Sequence, residues 1–316
     1  MKKILLLFFI TLISLTVLVA CSNDEGVTDT DKENDTEITP QPVITNEVDV
    51  IILCGQSNAE GHTYTNMLMK TNPELYAKYT SGVETKTKVS YVCNYNNYRQ
   101  DTFESVRLGM GLDMYRFGPE VGMNEVFEKS NLNRSVYIIK YTAGGSNLYY
   151  QWRSPSSGNP GNLYNQMIPF IHQQMALLEE EGYIPYVKAI CWMQGEADSC
   201  ENIMTINYKE VLNNFINDLS NELSVYREDP SIGIKFIDAA ISDSVLWVNY
   251  DSVNNSKREC AELDKENRYY LDTIKEGLNY ENEPTTGVDL AHYDSLSMIK
   301  LGELFANAIL SYGVLR

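Results

Sequence analysis

Histidine is scarce in this chain: His62, His172 and His292 are the only three among 316 residues. Chemistry that needs an imidazole must use one of them. Cysteine is nearly as sparse and is badly spaced for a metal. Beyond Cys21 there are Cys54, Cys93, Cys191, Cys200 and Cys260, with no pair at ligand spacing, which argues against a zinc centre. Cys54 and Cys191 end apolar runs and read as small buried hydrophobes. A bond between two of the other three is open to an exported protein, but no spacing selects the pair. Positive charge is also short, with 25 Lys and Arg against 43 Asp and Glu and a formal net charge of −18. That balance excludes nucleic acid and anionic membrane surfaces as partners, since both are held by clustered cations. No internal repeat is visible.

The one long apolar run lies at the start. Lys2 and Lys3 precede an apolar stretch from Ile4 to Ala20, interrupted by Thr11, Ser14 and Thr16. It is short and lacks a basic stop-transfer cluster, so residues 1–20 read as a signal peptide rather than a membrane span. Leu18-Val19-Ala20-Cys21 resembles the bacterial lipobox, which implies lipidation at Cys21 and attachment to the outer membrane of the cell envelope, facing the periplasm or the exterior. Loss of residues 1–20 removes two lysines and no acid, taking −18 to −20. Residues 21–46 carry Asp24, Glu25, Asp29, Asp31, Glu33, Asp35 and Glu37 against Lys32 alone. Such a segment cannot bury enough apolar area to offset its ordering entropy and reads as an acidic flexible tether.

Residues 47–316 suffice for one large α/β domain. Val48, Val50, Ile51, Ile52 and Leu53 form a short β-branched run of the kind that makes a buried parallel strand. Further strands are expected at 136–141, 187–193 and 234–238. Helical stripes separate them: Tyr164 to Leu178 (with Pro169 as a kink or first turn), Tyr208 to Leu223, Leu301 to Ile309, and a start at Gly118-Pro119-Glu120. Alternating strands and helices imply a three-layer α/β/α sandwich around a flavodoxin-like parallel sheet. Residues 62–117 and 242–288 are too long for plain loops and are expected to carry structure that shapes the site.

Gly55-Gln56-Ser57-Asn58 follows the first strand and puts a serine on a strand-to-helix turn, at the sheet edge where open α/β folds bind ligands. Read alone, Ser57 serves equally as a helix cap. A nucleophilic serine also needs a base, an orienter and oxyanion donors. His172 lies beside the apolar stripe of a helix and reads as structural. His62 stands five residues from Ser57, too near to fold back onto the hydroxyl, and reads as a wall or core residue. His292 sits in a loop before the last helix with Asp289 three positions earlier, a spacing that lets the carboxylate meet Nδ1–H. Donors should come from neighbouring strand ends, where Thr142-Ala143-Gly144-Gly145-Ser146 and Gln194-Gly195-Glu196-Ala197-Asp198 stand.

Gly55-Gln56-Ser57-Asn58, Phe117-Gly118-Pro119-Glu120, Ala143-Gly144-Gly145-Ser146 with Trp152, Trp192-Met193-Gln194-Gly195-Glu196-Ala197-Asp198 and Asp289-Leu290-Ala291-His292 resemble, in order, the blocks of SGNH hydrolases. More narrowly they resemble the sialate O-acetylesterases, including carbohydrate esterase family six. The resemblance implies Ser57 as nucleophile, His292 as base and Asp289 as its orienter. It implies an oxyanion hole from the N–H groups of Ser57 and Gly144 (or Gly145 in its place) and the Gln194 amide. Asn58 and Glu196 become supporting residues, and Asp198 belongs to the same outer layer. The expected activity is removal of O-acetyl groups from carbohydrates, with an acetylated glycan as substrate and neither metal nor organic cofactor. A non-catalytic glycan-binding lipoprotein and an esterase for other short acyl groups are the alternatives.

Overall fold

Val50, Ile51, Ile52 and Leu53 have no solvent exposure, because the strand that carries them is covered on both faces and paired on both edges. In the computed structural model, which describes residues 46–281, 283 and 288–316, that strand is β1 (Glu47–Gly55). The other strands are β2 (Thr63–Tyr64), β3 (Thr87–Cys93), β4 (Tyr98–Ser105), β5 (Arg116–Phe117), β6 (Val136–Thr142), β7 (Ile184–Met193), β8 (Lys235–Ala239) and β9 (Arg268–Leu271). The helices are α1 (Ser57–Glu60), α2 (Thr65–Thr71), α3 (Pro73–Thr80), α4 (Glu120–Lys129), α5 (Asn162–Glu180), α6 (Glu196–Ser199), α7 (Asn202–Glu222), α8 (Tyr250–Glu262) and α9 (Ser295–Ser311).

Seven strands form one sheet in the order β4-β3-β6-β1-β7-β8-β9, parallel except for the edge strand β4. Helices cover both faces, giving the three-layer α/β/α architecture. The four strands expected from the apolar runs are β1, β6, β7 and β8. The two long stretches do carry structure: 62–117 holds β3 and β4, and 242–288 holds α8 and β9. Pro169 falls inside α5 rather than at its first turn. The five cysteines beyond residue 45 are all free, so the bond left open between two of them does not form. The expected signal peptide, Cys21 and the tether lie outside the described residues.

The register of the three central strands is what builds a site. Gly55, the last residue of β1, stands level with Thr142 at the end of β6 and Met193 at the end of β7. The turns that follow all three strands therefore meet at one height. Gly55 has φ +138°, and a Cβ there would lie 2.0 Å from the Met193 carbonyl oxygen, so only glycine permits this approach. The Gln56 N–H then donates to that same carbonyl at 2.9 Å, which launches α1 from the sheet edge.

Candidate active site

Ser57 is the first residue of α1, and its side chain is almost enclosed at 5% exposure. The hydroxyl makes no hydrogen bond among the described residues, so it does not act as the cap of its own helix. Its neighbour Asn58 is fully engaged. The Asn58 Oδ1 accepts from the Tyr293 N–H at 3.1 Å, and Nδ2 donates to the Ala291 carbonyl at 3.4 Å and to Glu196 Oε1 at 2.9 Å. Asn58 thus grips the backbone on both sides of His292. A loop from the far end of the chain is fastened beside Ser57 by the next residue in sequence.

His292 is held in turn by Asp289. Nδ1–H donates to Asp289 Oδ2 at 2.9 Å, and Oδ1 accepts from the N–H groups of Ala291 and His292 at 3.0 and 3.2 Å. Burial alone would raise the Asp289 pKa. The His292 hydrogen bond and charge, with those two N–H groups, outweigh it and hold the carboxyl below its ordinary range. With Nδ1 occupied, the tautomer leaves the Nε2 lone pair free. Nε2 and the Ser57 hydroxyl are not hydrogen-bonded to each other here; such bonds commonly close only around substrate.

The turn after β6 supplies backbone donors. Neither the Gly144 nor the Gly145 N–H finds an acceptor among the described residues, and the same holds for the Ser57 N–H. Buried N–H groups without a partner are rare in folded proteins, and those of the buried Ser57 and half-buried Gly144, in adjoining turns, suit a developing negative charge; Gly145 is exposed to water. A Cβ on Gly144 would come within 2.9 Å of both Glu60 Oε2 and His62 Nε2, so the side-chain space there is taken.

Gln194 departs from its expected role. It is fully buried, and its Nε2 already faces Asp198 Oδ2 at 2.5 Å, the Ser146 carbonyl at 3.1 Å and Gln56 Oε1 at 3.2 Å. Its Oε1 accepts from Tyr208. Two amide hydrogens shared among three acceptors leave none for an oxyanion. Gln194 is a tie between the β1, β6 and β7 turns. Asp198 works alongside it, accepting from the N–H groups of Leu148 and Tyr149 at 2.8 and 3.0 Å. Glu196 is fully buried; burial raises its pKa, an effect only partly opposed by the Asn58 hydrogen bond.

Sequence reasoning did not place Glu60 and Tyr95 here, nor His62 against His292. The His62 and His292 rings stack with centroids 4.4 Å apart and planes 29° apart. His62 Nε2 lies 2.7 Å from Glu60 Oε2, and the other Glu60 oxygen accepts from the Asn94 N–H at 2.5 Å. Asn94, Tyr95 and Asn96 form a left-handed run with φ of 50°, 52° and 70°, tolerable for asparagine but strained for tyrosine. The Tyr95 hydroxyl donates to the Gly144 carbonyl at 3.0 Å. His172 bonds Tyr226 and Glu222 on the far face of α5, in keeping with a structural role. Among the described residues, no cluster of three or more His, Cys, Asp or Glu side chains is arranged to hold a metal ion. A cavity of about 450 Å³ lined by Lys188, Arg227, Lys235 and Arg316 lies at the amino ends of β7 and β8, away from these groups.

A family of carbohydrate esterases described as sialic acid-specific acetylesterases matches residues 47–311 of the chain. Among curated proteins none matches. A solved protein from Arabidopsis thaliana is 19% identical, with a TM-score of 0.57 over 84% of this chain and 98% of its own. NanS is 13% identical, with a TM-score of 0.56 over 86% of this chain and 99% of its own. A carbohydrate acetylesterase from Xanthomonas citri is 16% identical, with a TM-score of 0.52 over 84% of this chain and 56% of its own. At these identities the likeness is one of fold.

Proposed function

Because the chain belongs to the sialic acid-specific acetylesterase family of carbohydrate esterases, we propose that it hydrolyses O-acetyl esters of carbohydrates with Ser57, His292 and Asp289 as its catalytic triad. Ser57 Oγ attacks the acetyl carbonyl carbon while His292 Nε2 takes the hydroxyl proton. Asp289 holds the imidazole in the required tautomer and stabilises the imidazolium. The oxyanion is received by the N–H groups of Ser57 and Gly144, with Gly145 as the alternative to Gly144. The imidazolium then protonates the leaving sugar oxygen, and a water activated by His292 releases acetate from Ser57. Gln194 has no step in this sequence; it fixes the turns that carry the donors.

The observation that carries the reading is the Asn58 clamp, which supports adjacency between Ser57 and an imidazole already paired with a carboxylate. The experiment is turnover of 4-nitrophenyl acetate and acetate release from acetylated glycans by Ser57→Ala and His292→Ala. Each should lose about 10⁴-fold or more in kcat while remaining folded. Near wild-type turnover in either variant would remove the mechanism. Glycan binding without acetate release by the wild-type protein would point to a binding protein instead, and rates that rise with acyl length would point to other esters.

A further inference from the structure

His292 is held by Asp289 at one edge only. One hydrogen bond fixes a line of approach but leaves the ring free to tilt about it. Asp289 is also 38% exposed and His292 21% exposed, so water competes for the pair. The plane of the ring, and with it the aim of Nε2, needs a second contact.

That contact is the face of His62. We propose that Glu60 and His62 form a second carboxylate–imidazole dyad whose function is to position His292. The role rests on the triad reading above and on three features of the geometry. The rings are in face contact at 4.4 Å. His62 cannot swing away, because Nε2 is bonded to a Glu60 carboxylate that has no solvent exposure and is itself anchored by the Asn94 N–H. The same hydrogen-bonded pair lies against Gly144, whose Cβ position it occupies. The dyad therefore touches the base on one side and the oxyanion turn on the other, and it sets the spacing between them.

Charge agrees with a positioning role rather than proton transfer. Burial, together with the neighbouring His292 and Arg116 charges, lowers the His62 pKa despite the Glu60 hydrogen bond. That shift favours the neutral ring beside His292 as it takes the serine proton, which disfavours two cations in the stack. The flat face of His62 is the working part, and its nitrogens serve to hold it still.

The test compares His62→Ala, His62→Phe and His62→Leu on 4-nitrophenyl acetate, with Ser57→Ala alongside. Alanine should lower kcat about tenfold or more with KM changed by less than about twofold, the pattern of a misaligned base. Phenylalanine, which keeps a ring face, should recover most of that loss; leucine should not. If His62→Ala does not fold, the phenylalanine–leucine pair decides. Wild-type kcat in His62→Ala, or equal losses with phenylalanine and leucine, would overturn the positioning role. Retained activity in Ser57→Ala would instead overturn the triad reading on which it rests.

Discussion

Asn58 satisfies three groups with one amide, and two of them are costly to leave alone. The Tyr293 N–H sits on a residue with almost no exposure, and the Glu196 carboxylate has none. A buried donor stripped of its partner costs about 1–3 kcal/mol. Asn58→Ala is therefore expected to lower unfolding free energy by about that amount. It should also lower kcat, because the segment carrying His292 loses both of its ties to α1. Denaturant unfolding and turnover of 4-nitrophenyl acetate measure the two effects, and a wild-type kcat in a measurably destabilised protein would separate the clamp from catalysis. At this scale the sequence was partly legible. Ser57, Asp289 and His292 stand out as candidates because few residue types can do the chemistry of a nucleophile, a base and its orienter. Gln194 could not be assigned correctly, since nothing near it in sequence announces that Asp198, Ser146 and Gln56 compete for its hydrogens. His62, five residues from Ser57, reads as a wall or core residue with no partner named. The turn at Gly61 instead carries it past the serine to the face of His292.

Among elements, the seat of α9 on α4 decides where His292 stands. The two helices meet backbone to backbone at paired glycines: a Cβ on Gly302 would lie 2.0 Å from the Pro119 carbonyl oxygen, and one on Gly122 would lie 1.9 Å from that of Ile299. His292 lies two residues before Asp294, the N-cap of α9, so any displacement of the helix moves the loop. Gly302→Ala should cost about 1–3 kcal/mol or more through overpacking, a fall of several degrees in Tm for a domain of this size. Its kcat should drop as well, although residue 302 lies in the middle of α9, beyond the loop that carries His292. A wild-type Tm would show that the helices can part without cost. Strands β1, β6, β7 and β8 were legible because burial on both faces demands continuous apolar runs. β4 was not: Arg99, Gln100 and Asp101 mark an exposed edge whose polar side chains resist further pairing and erase the strand signal. β9 has only four residues, too few for a period to emerge.

For the whole molecule, parallel topology explains why a site scattered over more than 230 positions assembles at all, since Asn58 and Tyr293 are 235 residues apart. The chain, of net charge −18, also buries acid at both edges of the sheet. Asp49, Glu196 and Asp198 all have raised pKa values, in each case chiefly through burial. A carboxyl with a folded pKa above its unfolded value binds more protons in the native state, so stability falls as pH rises from about 4 through the folded pKa. His62, with a lowered pKa, acts in the opposite sense below about pH 6.5, and carboxyls with lowered pKa values, such as Glu228 and Asp289, act in that opposite sense only below about pH 4.5. Self-repulsion among the surplus acids adds to the loss at alkaline pH. The denaturation midpoint is therefore expected to fall as pH rises from about 5 to about 8, through the folded pKa of Asp238, which burial pushes up to about 6. Raising salt to about 0.5 M should recover the part due to repulsion between exposed charges but not the part due to buried carboxylates. Glu196→Gln isolates the latter: its stability advantage over wild type should grow with pH and persist in salt. A constant difference between the two proteins from acid to alkaline pH would show that Glu196 is ionised in the fold at no cost, and that burial does not govern its charge.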